Sequence, residues 1–260
     1  MNTTNNIRDY ILHLADNALI MGHRCSEWCG HGPILEQDIA ISNIALDYIG
    51  QARNFYQYAA EIINKNSQEN SVASTEDSLA YLRNEQEFKN NLLVELPNGD
   101  WANTIVKVFF YSTYQQLLYK QLLLSADMQI AAIAEKSLKE VTYHQKWSAD
   151  WVLRLGDGTT ESKQKIEKAI TELVPFVGEL FINSLYEVEA ISLGIAADNT
   201  TLKNEWLTKV NAVFEEATLK HFPADAWLQQ GGKLGNHTEY MGYILAEMQY
   251  LQRAYPNSEW

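Results

Sequence analysis

Apolar residues recur near the start of the chain at alternating steps of four and three: Ile7, Ile11, Leu14, Ala18, Met21, Cys25 and Trp28. That spacing puts them on one stripe of an amphipathic helix, which Gly30, Gly32 and Pro33 end. From residue 34 to about residue 63 the pattern changes. Between Ile39 and Ile49 only Ser42, Asn43 and Asp47 are polar, so a second helix, apolar nearly all round, is expected in the interior. The polar segment "NKNSQENSVAST" then interrupts the pattern, and Thr75 followed by Glu76 and Asp77 predicts the cap of a third helix running to about Leu93. "LPNGD" is a turn signal. A fourth helix is predicted over 102–125 and a fifth over 128–155, where "GDGTTES" stops one helix and caps the next. Further helices are expected at 161–193, broken or kinked at Pro175, at 200–220 and at 237–254, the last two separated by Pro223 and a "GGKLG" loop.

Alternating β patterns are scarce. Long amphipathic segments joined by short turns predict an all-α bundle of about seven or eight helices. No Pro/Ser-rich linker or step in composition divides the sequence, so residues 1–260 are expected to form one domain.

Composition narrows the function. Hydrophobic residues make up 46% of the 260, enough for a substantial core. With 33 acidic against 20 basic residues the net charge is −13, which argues against nucleic acid or an anionic membrane as main partner, since phosphate binding draws on clustered Lys and Arg. No apolar run approaches the ~18 residues of a membrane span. The first residues, "MNTTNNIRDYILHLADN", lack the basic-then-apolar layout of a secretory signal, because Asp and Asn interrupt the apolar positions. A soluble, cytoplasmic protein is the expectation. Cys25 and Cys29, in "CSEWC", are too few for a disulfide framework or a cysteine zinc site and read as reduced packing residues, a redox role being the alternative.

A helical bundle with inward Glu and His invites a di-iron hypothesis, in which two helices give one Glu each and two give Glu-x-x-His. The residues three before the six histidines are Tyr10, Ile20, Trp28, Val141, Thr218 and Leu234, none of them acidic. The fourth helix, "NTIVKVFFYSTYQQLLYKQLLLSA", contains no Asp, Glu or His, so it brings no ligand. Within "KEVTYHQKW", Glu140 and His144 are spaced by four and share the stripe of Ile133, Ser137 and Trp151. They read as a buried polar pair, with a metal-ligand pair and a solvent-facing pair as alternatives. Asn43 and Asp47 are assigned to the same buried, structural network; Asp47 needs an Arg or His partner, a catalytic acid being its alternative role. "GGKLGNH" sets Lys233 ahead of a helix start, a phosphate contact or a plain solvated loop. Phosphate-loop, dinucleotide and nucleophile-elbow motifs are absent from the sequence.

Four blocks, "EWCGHGPILEQDIAISNIALDYIGQARNF", "NLLVELPNGDWANTI", "KEVTYHQKWSADWVLRLGDGTTES" and "GGKLGNHTEYMGYILAEMQYLQRAYP", resemble in order the C-type subunits of bacterial ring 1,2-phenylacetyl-CoA epoxidases, over about residues 14–260. The resemblance implies a ferritin-like helical bundle with additional helices, related to the catalytic A subunit. That subunit holds the di-iron centre and inserts oxygen into the ring of phenylacetyl-CoA. It further implies that this chain is the non-catalytic, structural partner in aerobic phenylacetate catabolism, with no metal or cofactor and no catalytic residue of its own. Contacts with phenylacetyl-CoA at a shared interface are implied near Glu87, in "RNEQEFKN", and around Val188, Glu189 and Ala190; Lys233 joins them only by its place before a helix. Two alternatives remain: an independent di-iron oxidase using Glu36, Asp47, Glu140 and His144, and a module that binds acyl-CoA without acting on it.

Overall fold

The computed structural model describes residues 3–68, 72–256 and 258. Residues 69–71 of the predicted polar loop, and the chain ends, lie outside the described residues. Among the described residues regular structure is entirely helical: α1 (Thr3–Ser26), α2 (Leu35–Lys65), α3 (Glu76–Tyr81), α4 (Leu92–Glu95), α5 (Trp101–Leu122), α6 (Met128–Gly156), α7 (Thr160–Val177), α8 (Leu185–Ser192), α9 (Asn199–Glu216), α10 (Glu239–Met248) and α11 (Tyr250–Ala254). Eight of these have seven residues or more. No helix of the described residues is long and apolar enough to cross a membrane.

Four long helices carry the core, and their directions follow from which side chains meet. Tyr56 of α2 donates its hydroxyl to Asp16 of α1, while Gly22 of α1 lies against Tyr48 and Ile49, so α1 and α2 are antiparallel. Trp101 of α5 meets the rings of Trp147 and Trp151 of α6, and Gln116 meets Thr142, which makes α5 and α6 antiparallel as well. Between the pairs, Tyr48 touches Tyr111 and Phe55 touches Tyr119, so α2 and α5 run the same way. The segment 66–100 must therefore return the full length of the bundle before α5 begins. It carries α3, which packs on α2, and α4, which packs on α1.

Local chemistry accounts for most boundaries. Asp100 caps α5 by accepting from the Asn103 N–H, Asp127 caps α6, and reciprocal Thr159–Ser162 hydrogen bonds start α7 where "GDGTTES" predicts a stop and a cap. Three expectations need correction. The second helix is not buried all round: Ile41, Ile44, Tyr48, Ala52 and Phe55 point inward, whereas Leu35, Ile39 and Leu46 are exposed. The central helix is α5, buried along almost its whole length. The third helix stops at Tyr81, because Asp16 draws the Arg83 guanidinium and the Lys89 N–H toward α1, and Asn17 takes the Asn91 N–H. Backbone that bonds to a neighbouring helix's side chains cannot also keep its own helical ladder. Lastly, α7 passes through Pro175 and ends at Val177; the break comes at 178–184, and Ser184 with Glu187 caps α8.

Candidate functional site

Three groups of the predicted residues can be followed through the fold. In the first, α2 and α6 bring Asp47, Gln51, Glu140 and His144 together. His144 Nε2 donates to Asp47 Oδ2 at 2.9 Å, and Gln51 Nε2 donates to Glu140 Oε2 at 2.9 Å. Glu140 and His144 thus share a face but bond to α2 rather than to each other. The His144 ring is fully buried, 4.8 Å from Tyr48. Burial, with the Asp47 charge nearby, raises the pKa of Glu140 despite the Gln51 hydrogen bond. Asn43 is exposed and takes no part, so its predicted place in a buried network is wrong: it lies on the outward side of α2.

Behind this cluster the bundle is lined by amides and phenols. Tyr119 donates to Gln51 Oε1 at 3.1 Å, and Tyr48 Oη, Gln115 Oε1 and His144 Nδ1 are buried without a hydrogen-bond partner among the described residues. Burial holds the Tyr48 and Tyr111 phenols well above their ordinary range, so they stay neutral. Two irons require several carboxylates to balance their charge, and this donor set does not fit them. Among the described residues no group of three or more His, Cys, Asp or Glu is placed to hold a metal ion. Glu36 is exposed in the first turn of α2, three helical turns from Asp47, so the alternative ligand set is not assembled.

The second group surrounds Lys233, and here the predicted contact with substrate must be corrected. Its ammonium is buried and donates to Ile182 O at 2.7 Å and to both oxygens of Glu187 at 2.9 and 3.0 Å, which accounts for all three N–H groups. Glu187 also accepts from Ser184 and from Asn199 Nδ2. Burial works against its charge, but Lys233, His13 and the Ser184 backbone N–H outweigh that and lower its pKa. His13 of α1 lies 3.6 Å from Glu187 and is held down to about 4 by burial. The "GGKLG" loop is therefore an internal anchor, and its glycines are needed there: Cβ atoms at Gly232 and Gly235 would meet Asn90 O at 2.2 Å and Gln86 O at 2.3 Å.

The third group is the predicted substrate side. Glu87 is exposed in a single 3-10 turn, Glu85–Glu87, where it accepts the Asn84 N–H. Val188 is exposed on α8, Glu189 is half-buried and accepts from Asn6, and Ala190 is buried with its carbonyl accepting from Ile195 and Ala196. The fold does bring the two segments side by side. His13 Nδ1 donates to Lys89 O at 2.6 Å, and the Lys89 ammonium lies 5.4 Å from the Tyr186 ring centre. A cleft of about 600 Å³ beside Asn84 and Glu85 is bounded by Gly242, Leu245, Gln249 and Arg253.

Periodicity alone did not find the polar core that holds these segments. Asp16 takes Arg83, Tyr56 and the Lys89 N–H; Glu95 takes His237 at 2.8 Å and the Thr238 N–H at 2.6 Å. Lys107 holds the "LPNGD" turn through Leu96 O, and burial pulls it down to about 7. The available signal was Asp16 and Asn17, polar positions between Leu14 and Ala18 in an otherwise apolar stretch of the first helix.

The profile of the family described as phenylacetic acid catabolic protein matches residues 1–260. The chain is 44% identical over 256 residues to the C component of the 1,2-phenylacetyl-CoA epoxidase of Escherichia coli (strain K12), covering 98% of this chain and all of that relative.

Proposed function

This chain belongs to the phenylacetic acid catabolic protein family, and from that premise we propose that it is the C-type subunit of a multicomponent 1,2-phenylacetyl-CoA epoxidase. The observation that carries this is the 44% identity running the whole length of the relative. In that role it is the structural partner of a catalytic A-type subunit that holds the di-iron centre, acts in the cytoplasm, and has no catalytic residue of its own. Two antiparallel helix pairs joined by one long return support a ferritin-like bundle. Amides and phenols where such a bundle would carry carboxylates support a scaffold without its own metal.

The chain's contribution is then mechanical. The Asp47–His144 and Gln51–Glu140 bonds fix α6 against α2, while the Glu187–Lys233 pair ties the 231–235 loop to α8 and the Glu95–His237 pair ties the approach to α10 to α4. A rigid surface of this kind buries apolar area of a partner and keeps its ligand helices in position. Glu87, Val188 and Glu189 are proposed to line the acyl-CoA side of the shared interface; Ala190 supports that turn from beneath, and Lys233 does so through Glu187.

Co-expression with a tagged A subunit, followed by size-exclusion chromatography and iron analysis of each separated chain, tests the proposal. The expected result is a stable complex with iron in the A subunit. Failure of the chains to co-purify, or two irons per chain in this subunit, overturns it.

A further inference from the structure

A histidine ring enclosed by protein must meet its hydrogen bonds there, and the number of N–H groups it carries decides how many acceptors it can face. His237, two residues before α10, has a fully buried side chain. Its Nδ1 lies 2.8 Å from Glu95 Oε2 and its Nε2 lies 3.1 Å from Phe88 O. A carboxylate and a carbonyl only accept. A neutral imidazole would donate to one of them and turn a lone pair on the other, whereas the imidazolium donates to both. His144 is the contrast, since among the described residues only its Nε2 meets an acceptor.

The surrounding charges agree. Glu95 also accepts from the Thr238 N–H and from Asn90 Nδ2, but no Lys or Arg of the described residues pairs with its carboxylate. Arg24 of α1 bonds to the Glu95 carbonyl instead, and Asp16, which also favours a proton on His237, is paired with Arg83. Lys107 of α5 is turned to Leu96 O and Asn98, the Lys89 ammonium to Asp9, and Glu179 to the Leu92 and Gly231 N–H groups. Glu85 is half-buried, and Glu87 and Glu239 are exposed. His237 is thus the cation that Glu95 has. Burial alone would strip its proton, but the hydrogen bond and charge of Glu95 outweigh that and leave its pKa raised.

The two acceptors bracket the segment 88–95. Phe88 directly follows the turn Glu85–Glu87, and Asn84 and Glu85 border the cleft of about 600 Å³. A charged His237 therefore holds the back of the turn that carries Glu87. A neutral ring keeps one of the two bonds at most and leaves the Glu95 carboxylate buried without its cation, so the turn is held less firmly. We propose that His237 works as a buried imidazolium, a positioning residue for the Glu85–Glu87 turn, and that loss of one ring proton weakens acyl-CoA binding at that turn. This rests on the function proposed above, which puts Glu87 on the acyl-CoA side of the complex.

Two-bond proton–nitrogen NMR of the histidine rings in the full chain tests the charge. His237 is expected to keep both N–H groups as pH rises past the ordinary 6.5, and a ring mostly neutral at that pH overturns the proposal. The complex with the A subunit tests the positioning, through the KM for phenylacetyl-CoA of wild type and His237→Gln across pH. The variant's KM is expected to be about threefold or more above wild type at pH 6, with the two converging as the wild-type ring titrates and kcat alike throughout. A KM within 1.5-fold of wild type at pH 6, or a ratio that stays constant with pH as general structural damage would give, overturns it. Hydrogen exchange of the wild-type chain decides the case if the variant does not fold. Corrected for intrinsic rates, protection of the Glu87, Phe88 and Lys89 amides is expected to fall across the titration while that of α5 holds, and unchanged protection of the three overturns the proposal. A wild type that forms no complex overturns the functional reading, and the acyl-CoA effect with it, while the NMR and exchange results still decide whether His237 holds the turn.

Discussion

Single residues in this protein matter chiefly through buried charge. Lys233 and Glu187 face each other with almost no water, so removing one partner strands the other. Lys233→Met should lower unfolding stability by about 3–5 kcal/mol, and the double variant Lys233→Met/Glu187→Gln should recover part of it; urea denaturation of the set measures both. His144 and Glu140 differ in the same way. His144→Ala removes a fully buried ring packed on Tyr48 and should lose about 2–3 kcal/mol. Glu140→Gln keeps an acceptor for Gln51 at a half-buried position and should lose less than about 1 kcal/mol.

The pH dependence divides between two histidines. The folded pKa of His13, about 4, lies below its ordinary 6.5, so the unfolded chain binds a proton first and this residue's contribution declines as pH falls from 6.5 toward 4. His237 has the opposite sign: burial pulls it down, but the hydrogen bond and charge of Glu95 leave it raised. Its contribution is complete below 6.5 and is lost as pH rises through the folded value. Melting temperatures across pH should therefore show His13→Asn flattening the acid limb and His237→Asn flattening the limb above 6.5.

At the scale of elements, what could be read from sequence depended on how local the cause was. The caps at Thr75, Asp100, Asp127 and Thr159 are four-residue events and stand where turn chemistry predicts them. The predicted third helix failed because its fate depends on Asp16 and Asn17, some seventy residues away. For α2, apolar content marked residues that shun water without saying which of them this chain covers. Two glycines respond to their surroundings in opposite ways. Gly50→Ala in the isolated chain should raise stability by about 1 kcal/mol, since helix propensity improves and no atom is in the way. Gly232→Ala would drive a Cβ against Asn90 O and should lower it by about 2 kcal/mol or more, as thermal melts of both variants would record.

For the whole molecule, the donor set along the bundle axis predicts independence from metal. Dialysis against a strong chelator should leave the melting temperature of the isolated chain unchanged, and added ferrous iron should not raise it, because an ion bound by the folded chain alone would stabilise it by mass action. In the sequence this prediction draws on the missing Glu-x-x-His spacing and the ligand-free fourth helix, since ligands on a helix carry a fixed period. The sequence by itself determined the helical class, most helix ends and the absence of a di-iron ligand pattern, because each depends on spacing within a few turns. Only the tertiary structure decided that α5 rather than α2 is the central helix, that Glu140 and His144 each bond to α2, and that Lys233 is an anchor with no N–H left for a ligand. Those outcomes depend on which distant side chains meet and on what burial does to a charge, and neither is written in the local period of a chain.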